Sequence, residues 1–251
     1  MQTAELLEIV LKAGEIMLTS GAEIYRVEDT IVRISNSYHA ECESFVLPTG
    51  IFISVRNEEG SMQTAFKRIR QRSFDLNKID RVNTFSRDLK NSTPDYKTAI
   101  KELTGIESGK PYNLPVRLMA AAVGSFVFTM LFRGSYYDGM AAAAIGVIVY
   151  IMKEGLSKKG IFQFFELFSA GLVAGFLSIA AIRLFPVLNE FKIIIGSVMI
   201  YLPGVAITNG IKDAFYGDLV ASFTRLGEAF LIAAALAAGV GISLTIVMNW
   251  G

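Results

Sequence analysis

The sequence predicts an α-helical polytopic membrane domain of about five transmembrane helices, preceded by a small cytoplasmic α+β domain. The mean hydropathy is +0.45 and 52% of the 251 residues are hydrophobic, which is too apolar for an ordinary soluble protein. Charge is also unevenly distributed, since residues 1–111 contain 31 charged side chains and residues 112–251 contain 16. We therefore expect a soluble domain over 1–111 and a transmembrane domain over 112–251.

The first 111 residues change their apolar period from helical to alternating and back. Apolar residues recur every three or four positions in the first two segments, which predicts amphipathic helices, and Ser20 with Glu23 fits a capping box before the second helix. From Phe45 the period is two, which predicts strands and a hairpin with its turn at 57–60. Thr93-Pro94 is typical of a helix start. The predicted elements are helices at 4–18, 24–34, 75–89 and from Pro94 to Gly105, with strands at 45–47, 51–56 and 61–67. This ααβββαα order predicts an α+β domain.

Five apolar segments in the remainder are long enough to be considered as membrane-spanning helices. They lie at about 114–132, 138–153, 164–184, 192–207 and 226–248. The third contains Gly171 and Gly175, a GxxxG motif that permits close helix packing. An odd number of spans places the termini on opposite sides of the cell membrane. The lysine-rich loop 153–160 predicts that the N-terminus is cytoplasmic and the C-terminus external, because short cytoplasmic loops carry excess Lys and Arg.

The fourth span is predicted to be interrupted or to end early. Pro203 removes a backbone amide, and Gly204 and Asn209-Gly210 add further helix breakers. Irregular backbone at membrane depth persists where it is buried in protein or lines a wet cavity, and interrupted helices commonly bind substrate in secondary transporters. The alternative is an ordinary helix end followed by a loop.

Polar residues concentrated at and after this break are the main candidates for a functional site. An ionisable residue held at membrane depth is costly and usually functional, whereas in the headgroup zone it only marks topology. The candidate substrate-binding or ion-coupling residues are Pro203, Gly204, Thr208, Asn209, Asp213, Asp218, Arg225 and Glu228. The candidates in the N-terminal domain are Glu23, Arg26, Glu28 and Thr49, although charges at helical spacing are usually exposed ion pairs.

Composition argues against several function classes. The chain has one cysteine and one histidine, so zinc sites built from Cys and His are implausible, and we predict neither a metal nor a cofactor. A net charge of +1 argues against binding of nucleic acid, which needs a broad basic surface. A recognisable nucleophile and base pair is missing, so we predict that the chain is not an enzyme.

Two blocks of sequence carry a family resemblance over nearly the whole chain. The first is residues 20–30, SGAEIYRVEDT, together with Pro48-Thr49-Gly50. The second runs from Leu202-Pro203-Gly204 through 208–213 and 217–218 to 225–229. Together they resemble the threonine/serine exporter family of bacterial membrane proteins. The resemblance implies efflux of small polar metabolites across the cytoplasmic membrane, threonine and serine in some members and succinate in others. With about five spans, the chain resembles the larger subunit of the family's split form, so a smaller membrane subunit is the expected partner.

The leading hypothesis is therefore a secondary-transporter subunit that exports a small amino or carboxylic acid through the lipid bilayer. Arg225 would contact a substrate carboxylate, and Asp213, Asp218 or Glu228 would carry a proton or bind an ammonium group. Two alternatives remain open. One is a membrane-tethered enzyme that uses the candidates in the N-terminal domain, and the other is a ligand-sensing scaffold acting through that domain.

Overall fold

The computed structural model describes residues 1–56, 60–70, 72–110 and 112–250. Residues 248–250 are described by their backbone only. In the described part of the chain there are ten helices and three strands. The helices are α1 (Thr3–Thr19), α2 (Ile24–Ser37), α3 (Leu76–Asp88), α4 (Tyr96–Glu107), α5 (Leu114–Leu131), α6 (Tyr136–Lys158), α7 (Gln163–Leu184), α8 (Glu190–Met199), α9 (Gly204–Phe215) and α10 (Leu219–Trp250). The strands are β1 (Glu41–Leu47), β2 (Gly50–Arg56) and β3 (Met62–Arg68). The element order ααβββαα is confirmed, whereas all of the predicted turn 57–60 except Gly60 lies outside the described residues.

The chain divides into two compact units. The first comprises Met1–Lys110 with Val205–Leu226, and the second comprises Pro111–Gly204 with Gly227–Gly251. The division after Lys110 falls where the density of charged residues drops. The first unit also includes 205–226, a segment that sequence analysis assigned to the transmembrane domain.

The first unit has one apolar core between its helices and one face of its sheet. The sheet is antiparallel in the order β1-β2-β3, with Phe45 paired to Phe52 and Phe52 paired to Phe66. Successive strand residues face opposite sides, so Ile51 and Ile53 are buried against the helices while the three phenylalanines are exposed on the other face. Helix α1 lies at the centre of this core.

Two predicted helix caps in the first unit are wrong. Ser20 does not cap α2: it is the C-cap residue of α1, and its backbone N–H donates to the carbonyls of Ile16 and Met17. Gly21 then reverses the chain with a φ of +87°, and Glu23 becomes the N-cap residue of α2 without accepting a capping hydrogen bond from the described residues. Similarly, α4 begins at Tyr96 after the N-cap Asp95, and not at Pro94.

The second unit contains the apolar helices. Four helical segments of the described chain are long and apolar enough to cross a membrane: α5, α6, α7 and residues 219–247 of α10. Helices α8 and α9 are together also long and apolar enough, with a bend of 61° between them, so the chain has up to five spans if this pair crosses once. The predicted interruption is present, because α8 ends at Met199 and α9 begins at Gly204. The chain is thus a multi-pass membrane protein.

Glycines bring α7 close to α10 within the second unit. A Cβ atom on Gly171 would overlap the carbonyl oxygen of Leu236, and one on Gly175 would overlap the hydroxyl of Ser243. In the other direction, a Cβ on Gly239 would overlap the carbonyl oxygen of Phe168. The prediction that the GxxxG motif permits close helix packing is confirmed.

Candidate functional site

The two sequence blocks meet in the first unit, at the turn between α1 and α2. Gly21 and Ala22 in this turn present backbone carbonyls that follow the end of α1. The Gly21 carbonyl accepts a hydrogen bond from Asn209 Nδ2 at 2.8 Å, and the Ala22 carbonyl accepts one from Arg225 Nη2 at 2.6 Å. Side chains of α9 and α10 therefore satisfy backbone carbonyls of this turn.

A buried ion pair lies beside these bonds. Arg225 Nε is 2.9 Å from Asp213 Oδ2, and the two side chains are 4% and 0% exposed. The other carboxylate oxygen of Asp213 accepts a hydrogen bond from the backbone N–H of Ile24 at 3.1 Å. Ile24 is the first residue of α2, so the carboxylate lies at the positive end of that helix dipole. A buried pair needs such additional bonds to offset the cost of desolvating both charges.

Glu23 forms a second, more open group of charges in the same turn. Its carboxylate accepts a hydrogen bond from Lys212 Nζ at 2.9 Å and lies 3.2 Å from Arg26 Nε. The Glu23 side chain is 7% exposed, whereas those of Lys212 and Arg26 are 44% and 37% exposed. Burial acts to raise the pKa of Glu23, but its bonds to the backbone and Lys212 and the two positive charges outweigh burial and lower that pKa. The result is an ionised, nearly buried carboxylate between two accessible cations.

Next to the Glu23 group, α2 also meets the segment around Tyr216 and Asp218. The rings of Tyr25 and Tyr216 stack with centroids 3.9 Å apart. Glu28 accepts a hydrogen bond from the backbone N–H of Val46 at 3.0 Å. Burial raises the pKa of Glu28 despite that bond, and the negative charge of Asp218 raises it further. The carboxylate of Asp218 is thus close enough for its charge to act on Glu28.

The fold brings together some of the predicted site residues and separates others. Those joined around the turn or next to it are Glu23, Arg26, Glu28, Asn209, Asp213, Asp218 and Arg225. Thr208 is exposed on α9, and Thr49 is exposed between β1 and β2, where its carbonyl accepts a hydrogen bond from the N–H of Ile69. Pro203, Gly204 and Glu228 belong to the second unit.

Sequence reasoning missed Lys212 and the two stacked tyrosines as members of the site. The available signal was position, since Lys212 directly precedes Asp213 in the second block and Tyr25 lies inside the first. The accessible cations are chemically suited to a carboxylate, and the Glu23 carboxylate is chemically suited to a positively charged group. Among the described residues, no three or more His, Cys, Asp or Glu side chains are grouped so that they could hold a metal ion.

Comparison with known proteins bears on the family to which the chain belongs. A family model described as "Putative threonine/serine exporter" matches residues 8–247. The chain is 24% identical to the "Probable threonine/serine exporter" of Mycobacterium tuberculosis (strain ATCC 25618 / H37Rv), in an alignment covering 100% of this chain and 48% of that protein. It is 22% identical to the "Threonine/serine exporter" of Corynebacterium glutamicum, with 97% of this chain and 51% of that protein covered. No solved structure matches.

The chain spans about half the length of these curated relatives. The family and both relatives are described as exporters and not as enzymes, so the prediction that the chain is not an enzyme is confirmed. Because the family model matches almost the entire sequence, the chain belongs to the threonine/serine exporter family.

Proposed function

We propose that this chain is a secondary-transporter subunit that exports a small amino acid of the threonine and serine class across the cell membrane. The observation that carries the proposal is the buried Asp213–Arg225 pair. Asp213 lies on α9 of the bent pair and Arg225 on α10, both in helical segments long and apolar enough to cross a membrane. The pair bonds to the backbone at Ala22 and Ile24, on either side of Glu23, so it holds in place the group of charges to which we assign the substrate.

The geometry favours a division of roles between the two groups of charges. Arg225 and Asp213 are bonded to each other and to the backbone of the turn, so we assign them a positioning role. The more open group supplies the substrate contacts: Lys212 and Arg26 bind the carboxylate, and Glu23 binds the ammonium group. This moves the contact with the substrate carboxylate from Arg225, where the sequence hypothesis put it, to two accessible cations. Asp218 and Glu228 remain the candidates for carrying a proton.

Glu23 also bears on the choice between an amino acid and succinate. Its nearly buried, ionised carboxylate attracts an ammonium group and repels a second carboxylate. We therefore favour the amino acid over a dicarboxylate. Glu23→Gln should weaken export of L-threonine and should not weaken export of succinate.

For the membrane topology, we propose a cytoplasmic N-terminus and an external C-terminus. The proposal is supported by the lysines of the 153–160 loop and by a count of five spans when the bent pair crosses the membrane once. Reporter fusions at residue 60 and after residue 251 should report opposite sides. Signals from the same side would overturn the five-span count.

We further propose that the working exporter contains a second, smaller membrane subunit. The relatives are about twice as long as this chain, and a second subunit would supply the part of them that this chain does not match. Two subunits of opposite membrane orientation would form the inverted repeat common in transporters. Robust export by the purified chain alone in proteoliposomes would refute the partner, and activity that requires coexpression with a small subunit would support it.

The break between α8 and α9 gives a direct test of a role in transport. We propose that Pro203 and Gly204 keep the backbone irregular where substrate passes. The double variant Pro203→Ala/Gly204→Ala should still insert but should lose export, because a continuous helix would straighten the 61° bend between α8 and α9. Full export by a correctly inserted double variant would contradict this role.

Everted membrane vesicles provide the test of the function itself. We would measure energised accumulation of labelled L-threonine, L-serine and succinate, with the chain alone and with a candidate small subunit. Lys212→Met should abolish accumulation of the amino acids, whereas Lys12→Met should not, because Lys12 forms an exposed pair with Glu107 elsewhere in the same unit. Accumulation no higher than in vesicles without the chain, under both conditions, would overturn the proposed function.

A further inference from the structure

The end of β3 and the chain that follows it to α3 carry exposed basic side chains that the proposed function does not use. Residues 67–76 contain four basic residues and one acidic residue. Ile69 is buried, whereas its neighbours Arg68 and Arg70 are exposed on the other side of the chain. Lys67 is already in an ion pair with a residue of α1, but neither of these two arginines forms an ion pair with another residue that the structure describes. Their guanidinium groups are therefore available to an anionic partner.

This segment is bonded to the last residues of α1. The backbone N–H of Ser73 donates to the Thr19 carbonyl at 2.8 Å. The backbone N–H of Asp75 donates to the Ser20 carbonyl at 3.1 Å. These two acceptors lead directly into the turn between α1 and α2, which also bonds to α9 and α10. The basic segment therefore lies beside that turn.

Two apolar side chains of the segment are also exposed next to the turn. Phe74 lies against Gly21, because a Cβ atom on that glycine would be 2.6 Å from the ring, yet 59% of Phe74 is exposed. Leu76, the first residue of α3, is 70% exposed. Large apolar side chains that are exposed together often mark a surface that contacts a membrane or another protein.

The same turn is bonded to the start of a candidate membrane span. The span of α10 begins at Leu219, and Arg225 in its second turn donates to the Ala22 carbonyl at 2.6 Å. The first turns of α10 expose three apolar side chains, Leu219, Val220 and Phe223. Because residues 219–226 belong to the first unit, the turn and the basic segment lie where this unit approaches the bilayer.

Anionic phospholipid is the partner that this chemistry fits best. Arginine binds phosphate through paired hydrogen bonds, and basic residues near an anionic bilayer are attracted to it. Aromatic rings are favoured at the level of the head groups. Asp75, the acidic residue of the segment, is occupied as the N-cap of α3, where it accepts a hydrogen bond from the N–H of Lys78 at 3.1 Å. A stable protein interface takes about 20–30 residues on each side, more than two arginines, Phe74 and Leu76 provide.

We propose that the exposed basic and apolar side chains of this segment bind anionic phospholipid. They are Arg68, Arg70, Phe74 and Leu76. Lipid phosphates accept hydrogen bonds from the two guanidinium groups, while the phenylalanine ring and the leucine side chain lie among the head groups. The contact holds the turn between α1 and α2 at the membrane surface. The proposal does not depend on the substrate, because none of the four side chains belongs to the group around Glu23.

Quenching by spin-labelled lipid tests this contact on the full chain in lipid nanodiscs. A fluorophore is attached to a cysteine introduced as Asn77→Cys, next to Leu76, in a Cys42→Ala background. Ser92→Cys is the matched control, because it is also exposed but lies beyond the other end of α3, about 20 Å away. Phosphatidylcholine with a doxyl group near its head group should quench the label at position 77 more than the label at position 92. This difference should appear only when the nanodiscs also contain phosphatidylglycerol.

Removal of the two arginines tests the role of charge. One arginine near an anionic membrane surface changes binding about fivefold, so Arg68→Gln/Arg70→Gln should weaken the contact about 25-fold. Quenching at position 77 should then fall to its level without phosphatidylglycerol. Arg81→Gln/Arg87→Gln, which removes two exposed arginines from α3, is the charge-matched control and should leave quenching unchanged. Both double variants change exposed side chains, so their thermal unfolding should match that of the labelled parent.

Three results would overturn the proposal. They are equal quenching at positions 77 and 92, quenching at position 77 that is the same with and without phosphatidylglycerol, and equal quenching in the two double arginine variants. Protection of the label at position 77 from aqueous iodide without quenching by the doxyl lipid would show that a protein covers the surface, and it would also overturn the proposal. The comparison of lipid compositions needs no arginine variant, so it decides the question even if a variant fails to fold. None of these results bears on the vesicle test of export.

Discussion

Replacing Arg225 with methionine tests whether the buried ion pair holds the turn between α1 and α2. The guanidinium lies 2.9 Å from Asp213 and donates to the Ala22 carbonyl at 2.6 Å, so Arg225→Met removes both bonds from a buried site. Breaking a buried ion pair by removing one partner costs about 3–5 kcal/mol, since the remaining charge stays desolvated. We expect the free energy of unfolding of the first unit to fall by that amount. Lys12→Met at the pair with Glu107, which is 22% and 46% exposed, should cost about 0.2–1 kcal/mol.

The cysteine of β1 makes the unfolding of the first unit measurable in detergent. Cys42 is the chain's only cysteine, it is half-buried, and burial raises the pKa of its thiol, so a fluorogenic maleimide should react slowly until the unit unfolds. Arg225→Met should lower the midpoint of this transition by roughly 10 °C or more, given the size of the unit. The double variant Asp213→Leu/Arg225→Met should recover much of that loss, because it leaves neither charge unpaired. Equal midpoints for Arg225→Met and Lys12→Met would refute the reasoning.

Three further predictions concern stability. Gly21→Ala should destabilise the first unit more than Gly60→Ala. Both glycines have a positive φ, +87° and +82°, which costs about 1–2 kcal/mol for other residues. At Gly21, however, the new Cβ would also lie 2.6 Å from an aromatic ring. Gly239→Val should disrupt the packing of α7 on α10, as measured by thermal unfolding, whereas Gly241→Val should not, because no described atom lies within 4 Å of a Cβ there. Glu28→Gln should gain stability relative to the wild type as the pH rises from below 4.5, the ordinary glutamate pKa, to neutral. The raised pKa means that the folded wild type binds more protons than the unfolded chain above pH 4.5, so its stability falls as the pH rises through the folded-state pKa.

Each of these comparisons has a result that would contradict it. Equal losses for Gly21→Ala and Gly60→Ala would mean that the ring near Gly21 moves aside without cost. Equal thermal unfolding of Gly239→Val and Gly241→Val would contradict the close approach of the two helices. A constant difference in stability between Glu28→Gln and the wild type across the pH range would show that Glu28 titrates at its ordinary pKa in the folded protein.

Local patterns in the sequence predicted the elements and the break well. The change in apolar period at Phe45 and the return to helical spacing after 75 predicted the ααβββαα order, because side-chain period follows directly from backbone geometry. Pro203 predicted the end of a helix because a missing amide and a fixed φ act locally. The apolar segments predicted the candidate spans in the same way, although the helix around the fifth extends from Leu219 to Trp250.

Predictions failed where a side chain had a choice of partners. Ser20 and Glu23 have the spacing of a capping box, but Ser20 belongs to the end of α1 and Glu23 bonds to Lys212, far away in the sequence. Similarly, Asp95 and not Pro94 precedes α4, since the exact first residue of a helix depends on packing as well as propensity. Spacing identifies a partner that is available, but it does not exclude a better one from another part of the chain.

The sequence by itself determined that this chain is a multi-pass membrane protein with a small α+β unit, and it identified the two blocks that mark its family. Only the tertiary structure decided that these blocks meet, with Arg225 and Asp213 bonded to the turn at Ala22 and Ile24. Elements form from short-range backbone preferences that are readable in a window of residues. The pairing of buried charges and polar atoms is decided by which distant side chains the fold brings within hydrogen-bond distance.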